Sequence, residues 1–151
     1  MPSDPAPAAT VENIWMHLRG HMKASAFVWF TYEDASDSLV AADAAGDPVV
    51  APGTRIALGE RLSGWVAASK QGIINSDARL DVDAEFRDDT LLRNALSVPI
   101  ETNGQVAGVL AFYSREADGF VDHHLHLARA AARIIGTHTR RQRAALSQPA
   151  A

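Results

Sequence analysis

Side chains able to do chemistry are sparse in this chain, and each group lacks a part. Asp122, His123 and His126 fall on the first turns of a helical stretch, near enough to one another to share a metal ion. No fourth ligand stands at useful spacing, so these histidines and His124 read as a solvated helix start. Asp81, Asp83 and Glu85 alternate like the start of a calcium loop, but Phe86 stands where that loop needs Gly and Leu92 where it needs a bidentate Glu. The acidic run therefore reads as solvated surface. Gly59 to Gly64 has the glycine spacing of a phosphate loop, with Trp65 where a Lys must reach the phosphates. It reads instead as a turn entering a helix, with Gly64 letting another element approach closely. No Gly-x-Ser-x-Gly elbow occurs, and Ser, His and Asp fall in no arrangement that would activate a hydroxyl. With 0 Cys, disulfides, thiolate metal sites, cysteine nucleophiles and thioether-linked cofactors are excluded. The expectation is no catalytic residue, no metal and no cofactor.

After Asp122 the chain has no acid, while Arg129, Arg133, Arg140, Arg141 and Arg143 follow. The last three suit the negative end of a helix dipole without any partner. Over all 151 residues, 14 Lys and Arg against 18 Asp and Glu give a net charge of -4, which excludes the dense positive field of a non-specific nucleic-acid binder. There is no basic start followed by an apolar run, and no window of about 18 apolar residues, so no membrane partner is expected. These features point to a cytoplasmic setting.

The elements that must position such residues follow from hydrophobic period and turn chemistry. Residues 1–9, with Pro2, Pro5 and Pro7, and residues 147–151 read as loose ends around one domain at 10–146. From Thr10, a candidate N-cap, Val11, Ile14, Trp15, Leu18 and Met22 recur at helical spacing over about 10 to 23. Ser25 to Tyr32 is short, aromatic and β-branched, and reads as a central strand with Phe27 and Trp29 on one face and Val28, Phe30 and Tyr32 on the other. A second strand spans Ser38 to Ala44. Leu58 to Gln71 reads as a short helix with Leu62, Trp65, Val66 and Ser69 on its buried face and Gly72 as C-cap. Ile73 to Asn75 reads as a brief strand, followed by an acidic segment, Asp77 to Asp89, with six carboxylates in thirteen residues. Ala95 to Glu101 and Gln105 to Ser114 are apolar runs joined through Asn103-Gly104, a strong hairpin signal. From Val121 a long helix carries one row at Leu125, Ala128, Ala132 and Ile135 and a second at Leu127, Ala131 and Ile134. The fold class is α+β: a five- or six-stranded, mostly antiparallel sheet with helices on both faces.

Arg55 to Asp77 (RIALGERLSGWVAASKQGIINSD), then Ser97 to Ser114 (SVPIETNGQVAGVLAFYS), then Phe120 and a long amphipathic helix resemble a GAF domain over about residues 10–145. The hairpin with Val98, Pro99, Gly104 and Gly108 is the most telling part. The resemblance implies a GAF-like, PAS-related sandwich, with terminal helices on one sheet face and a ligand pocket on the other, roofed by the acidic segment and the middle helix. It implies a regulatory input role rather than catalysis, of the kind that precedes cyclic-di-GMP or histidine kinase outputs in bacterial signalling proteins. Cyclic-nucleotide GAF domains carry Asn-Lys, then Phe, then Asp-Glu. Here Asn75 is followed by Ser76 and Phe86 by Arg87, so the resemblance does not extend to cyclic nucleotides. Bilin attachment and methionine sulfoxide reduction in this fold use cysteines that this chain lacks.

Strand alternation and the resemblance together place Phe30, Trp65, Asn75, Asp77, Thr90, Ser97 and Tyr113 around the pocket, with Phe30 and Trp65 alternatively plain core. Asp77 to Asp89 is expected to be the mobile part, since Phe86 is its sole large anchor. Ile14 and Leu18 of the first helix and Leu127, Ala131 and Ile134 of the last are expected to form a homodimer interface, one row of the last helix covering the sheet and the other needing a partner. The alternative function is a dimerisation module whose pocket is filled by its own side chains.

Overall fold

A computed structural model describes residues 7–147. The elements, in chain order, are α1 (Pro7–Met22), β1 (Ala26–Glu33), β2 (Ser38–Gly46), β3 (Arg55–Ala57), α2 (Arg61–Ser69), β4 (Ile73–Asp77), a 3-10 turn (Ala78–Leu80), α3 (Ala84–Arg87), β5 (Asn94–Thr102), β6 (Gln105–Ser114) and α4 (Asp122–Ser147). The strands form one six-stranded sheet in the order β3-β2-β1-β6-β5-β4, with every neighbouring pair antiparallel. Strand β3 is too short, at three residues, to carry a periodic signal.

The sheet separates two cores by strict alternation. Phe27 and Trp29 of β1, Leu110 and Phe112 of β6, and Leu96, Val98 and Ile100 of β5 face α1 and α4. Trp15 of α1 stacks on Phe27 at 4.9 Å between ring centroids. On the other face, Ala26, Val28 and Phe30 of β1, Val109, Ala111 and Tyr113 of β6, and Ala95 of β5 meet α2 and the segment after β4. Asn103 and Gly104 both adopt positive φ, 52° and 77°, in the two-residue turn between paired Thr102 and Gln105. A Cβ at Gly108 would lie 2.1 Å from the Phe30 carbonyl oxygen, so the central β1–β6 pair requires glycine there.

Several sequence expectations change. Helix α1 begins at Pro7, inside the segment assigned to the loose N-terminal end, and α4 runs through Ser147; the rest of both ends lies outside the described residues. Thr10 is consequently not an N-cap: it sits within the first turns of α1, buried, and its hydroxyl has no hydrogen-bond partner among the described residues. The left-handed cap of α2 falls on Lys70 (φ 58°), whose N–H reaches the Val66 carbonyl, while Gly72 leaves room for Val98 and Leu125. The buried face of α2 comprises Leu62, Ser63, Gly64, Val66 and Ala67, leaving Trp65 44% exposed. The cause is close approach: a Cβ at Gly64 would lie 2.6 Å from the Ala57 carbonyl oxygen, so the helix keeps its Gly64 side against β3 and Trp65, the next residue around the helix, falls outside the buried face. Gly59, at φ +88°, makes the turn, donating its N–H to the Gly64 carbonyl at 2.9 Å, and no phosphate loop forms.

Candidate functional site

On the sheet face opposite the terminal helices, polar atoms converge inside an otherwise apolar core. Register sets Tyr113 between Ala26 and Ala95, and the small flanking residues leave space for its ring. Ser97 lies one row along, opposite Ala111. The Tyr113 hydroxyl donates to Asp81 Oδ2 at 2.6 Å. Ser63 of α2 donates to the same carboxylate twice, from its N–H to Oδ1 at 2.9 Å and from its hydroxyl to Oδ2 at 2.6 Å. The Ser63 and Ser97 hydroxyls are 3.4 Å apart. Asp81, Ser63, Ser97, Tyr113 and Phe30 are all fully buried. Burial pushes the Tyr113 phenol well above its ordinary value, reinforced by the Asp81 charge and hydrogen bond.

A second carboxylate ties the roof to the β2–β3 connection and to α2. Asp83 Oδ2 accepts from the Ala51 N–H at 2.8 Å and the Thr54 hydroxyl at 2.9 Å, and Oδ1 pairs with Arg61 Nη1 at 2.7 Å. The same guanidinium nitrogen donates to the Asp81 carbonyl at 3.1 Å. Arg61 holds φ 54°, a left-handed conformation costly for a residue with a side chain, at the point where the chain enters α2. Desolvation raises the Asp83 pKa, but the bonds from Ala51, Arg61 and Thr54 together outweigh it, and the net shift is downward. A depressed folded-state pKa stabilises the fold above the unfolded carboxylate value of about 3.9, and that stability is lost as pH falls through the lower folded value. Denaturant midpoints of the wild type should therefore fall below about pH 4, and Asp83→Asn, weaker at neutral pH, should show a shallower acid decline. Parallel acid limbs in the two proteins would refute the assignment.

Of the expected pocket residues, the structure brings together Phe30, Ser97 and Tyr113. Trp65 is turned to the outside of α2. Asn75 adopts φ 58° and spans to the other side, donating from Nδ2 to the Phe120 carbonyl at 3.1 Å while Oδ1 accepts from Asn94 at 2.6 Å. It anchors the approach to α4 instead of the pocket. Asp77 caps the 3-10 turn through Arg79 N–H, exposed to solvent. Thr90 accepts from the Leu92 N–H and lines a shallow cleft with Pro48, Phe86 and Arg115. The groups missed by sequence reasoning are Arg61, Ser63, Asp81 and Asp83. Val82, an apolar residue between Asp81 and Asp83, is fully buried, but Leu80 in the same run is exposed, so an apolar residue there does not by itself mark its neighbours as buried.

The acidic segment is thus no uniformly solvated surface. Two of its six carboxylates, Asp81 and Asp83, are buried beside Ala78 and Val82. These anchors remove the basis for expecting it to be the mobile part of the domain. Among the described residues, no group of three His, Cys, Asp or Glu side chains could hold a metal. The His124 ring caps the start of α4, its Nδ1 accepting from the Val121 N–H at 3.1 Å. No helix among the described residues is long and apolar enough to cross a membrane.

On the α1 and α4 side, Thr10, Ile14, Leu18, Leu127, Ala131 and Ile134 help line an apolar groove of about 390 Å³. Leu18 and Ala131 are buried within the chain and form its floor, so they are not free surface as expected; Ile134 is 49% exposed. Helix α1 covers only part of the second row of α4.

Residues 8–138 match the family model described as a GAF domain. No curated protein matches the sequence. Among solved structures, the chain is similar to a GAF domain from a phosphoenolpyruvate-protein phosphotransferase of Coxiella burnetii, at 18% identity and TM-score 0.81, over 97% of this chain and 89% of that one. It is also similar to a free methionine-R-sulfoxide reductase from Neisseria meningitidis, solved with its substrate, at 23% identity and TM-score 0.79, over 95% and 83% of the two chains. A type II reductase of that kind from Thermoplasma acidophilum follows at 14% identity and TM-score 0.72, over 87% and 91%. These identities establish a shared fold alone. They also correct one expectation: the fold carries enzymes as well as regulatory modules, so the reading of this chain as not an enzyme does not stand.

Proposed function

Because the chain belongs to the GAF domain family, we propose that it is a sensory, regulatory module of bacterial signal transduction that takes a small polar ligand on the sheet face carrying Phe30, Ser97 and Tyr113. The observation that supports this reading is the concentration of Ser63, Asp81, Ser97 and Tyr113 within an apolar core. Stability alone does not call for such a set, since well-packed apolar side chains often serve a core as well as a buried polar network does. The four groups supply both donors and acceptors, and the roof at residues 78–87 is the element that must move to admit a ligand. Asp77, Thr90, Trp65 and Asn75 are then outside the first contacts.

Occupancy would be read out through α1 and α4, which pack on the reverse of the same strands. A second copy of the chain is proposed to cover the α1–α4 groove, where Ile14, Leu127 and Ile134 remain available, and α4 would hand the signal to an output of cyclic-di-GMP or histidine kinase type in the cytoplasm. A two-state helix packing within a few kcal/mol is what such transmission requires.

One observation favours a second reading, an interaction module with a self-filled pocket: Asp81 already satisfies Ser63 and Tyr113, and Phe30 and Tyr113 have no exposed surface. Native mass spectrometry of the purified protein, recorded before and after unfolding, separates the two. A small molecule released on unfolding supports the sensor; bare chain masses favour the filled module.

A further inference from the structure

A cleft of about 530 Å³ lies away from the sheet-face site, between the end of α2, strand β5 and the outer side of α4. It is lined by Lys70, Gln71, Gly72, Pro99, Glu101, Arg129, Ala132 and Arg133. Its volume falls within the range of small-molecule sites. We propose that this cleft binds a small phosphorylated metabolite, held by Arg129, Arg133 and Lys70.

Three features carry the proposal. Arg129 and Arg133 are one helical turn apart, so both guanidiniums project over the same cleft, and neither has an ion-pair partner among the described residues. Like charges at this spacing disfavour the helix slightly, and the stretch of α4 after Asp122 has no acid to offset them. Glu101, the single acid in the lining, makes no ion pair with either. Arg129 lies in the first half of α4, out of reach of the negative end of the helix dipole that favours cations in the last turn.

The cleft floor and rim are also fixed. At Gly72 an added Cβ would press on Val98 Cγ1 at 3.2 Å and Leu125 Cδ1 at 3.3 Å, so glycine lets the end of α2 pack closely on β5 and α4, and Arg129 Nε lies 3.6 Å from the same point. Lys70 occupies the left-handed region, where glycine would be less strained, and its ammonium is pinned at the rim by the Gly104 carbonyl at 2.8 Å. Planar guanidinium forks and a point ammonium are suited to phosphate oxygens. Pro99, half-buried at the cleft edge, offers an apolar contact for the neutral part of the ligand, and Glu101 can accept from its hydroxyl group. The cleft therefore suits a phosphate ester better than a bare anion.

Glycerol 3-phosphate, a phosphate ester with free hydroxyls, serves as the probe, added at constant ionic strength to the isotope-labelled protein and followed by NMR. The expected result is saturable shifts at the Gly72 amide and the Arg129 and Arg133 Nε–H signals. Arg129→Gln and Arg133→Gln should each weaken binding by about tenfold, as loss of charge-assisted hydrogen bonds does, while Arg140→Gln leaves it unchanged. Both are surface substitutions to a residue of similar helix propensity; if either loses amide dispersion, Lys70→Gln gives the same reading. Shifts that do not saturate, that spread over all cationic residues, or that persist unchanged in Arg129→Gln would overturn the proposal.

Discussion

Asp81→Ala is expected to cost about 3–5 kcal/mol of folding stability, the scale seen when one partner of a buried charged network is removed. The carboxylate accepts from the Ser63 N–H, the Ser63 hydroxyl and the Tyr113 hydroxyl, and Ser63 and Tyr113 are both fully buried. For a chain of this size, each 1 kcal/mol is worth roughly 2–4 °C, so the melting temperature should fall by on the order of 10–15 °C. Asp81→Asn keeps one oxygen and the shape of the group, and should cost less than half as much. Urea unfolding of the three proteins, with unchanged m values, is the check. An Asp81→Ala midpoint close to that of the wild type would mean that the network contributes no cohesion and that the roof is open to water.

Ile134→Glu is expected to convert a homodimer to a monomer without unfolding it. The side chain is half exposed on α4 and lines the apolar groove with Ile14 and Leu127, so the chain itself does not depend on it for its core. A carboxylate at 134, set against Ile14 and Leu127, must give up its water for the interface to close, and that desolvation cost works against the dimer. Sedimentation at tens of micromolar should show a dimer for the wild type and a monomer with native circular dichroism for the variant. A monomeric wild type, or a variant that remains dimeric, would remove α4 from the interface.

How much was legible depends on whether the deciding interaction is local. Asn103-Gly104 fixes the β5–β6 hairpin within a few residues, so its turn and register are visible in the chain. The alternation of Phe27 and Trp29 against Val28 and Phe30 likewise assigns both faces of β1. The buried face of α2 is different, because the approach of the Ala57 carbonyl to Gly64 decides it, and that contact joins elements whose separation no periodic pattern encodes. Trp65 is hydrophobic and on a helix, yet it falls outside the face that Gly64 holds against β3. Asp81 escapes for a related reason: a buried carboxylate and a solvated one look alike until Ser63 and Tyr113, eighteen and thirty-two residues away, are brought against it. Asn75 has turn-like chemistry within a strand, and its positive φ sends its amide to Phe120 on the opposite side.

The central claim is that the Ser63, Asp81, Ser97 and Tyr113 cluster is a ligand site. Native mass spectra of the wild type and of Ser97→Leu, purified in parallel and confirmed folded, test it most directly. The account predicts a non-protein mass on the wild type that leaves on unfolding and is missing from Ser97→Leu. A wild type whose native mass equals that of its chains alone, or an adduct that survives Ser97→Leu, would contradict it.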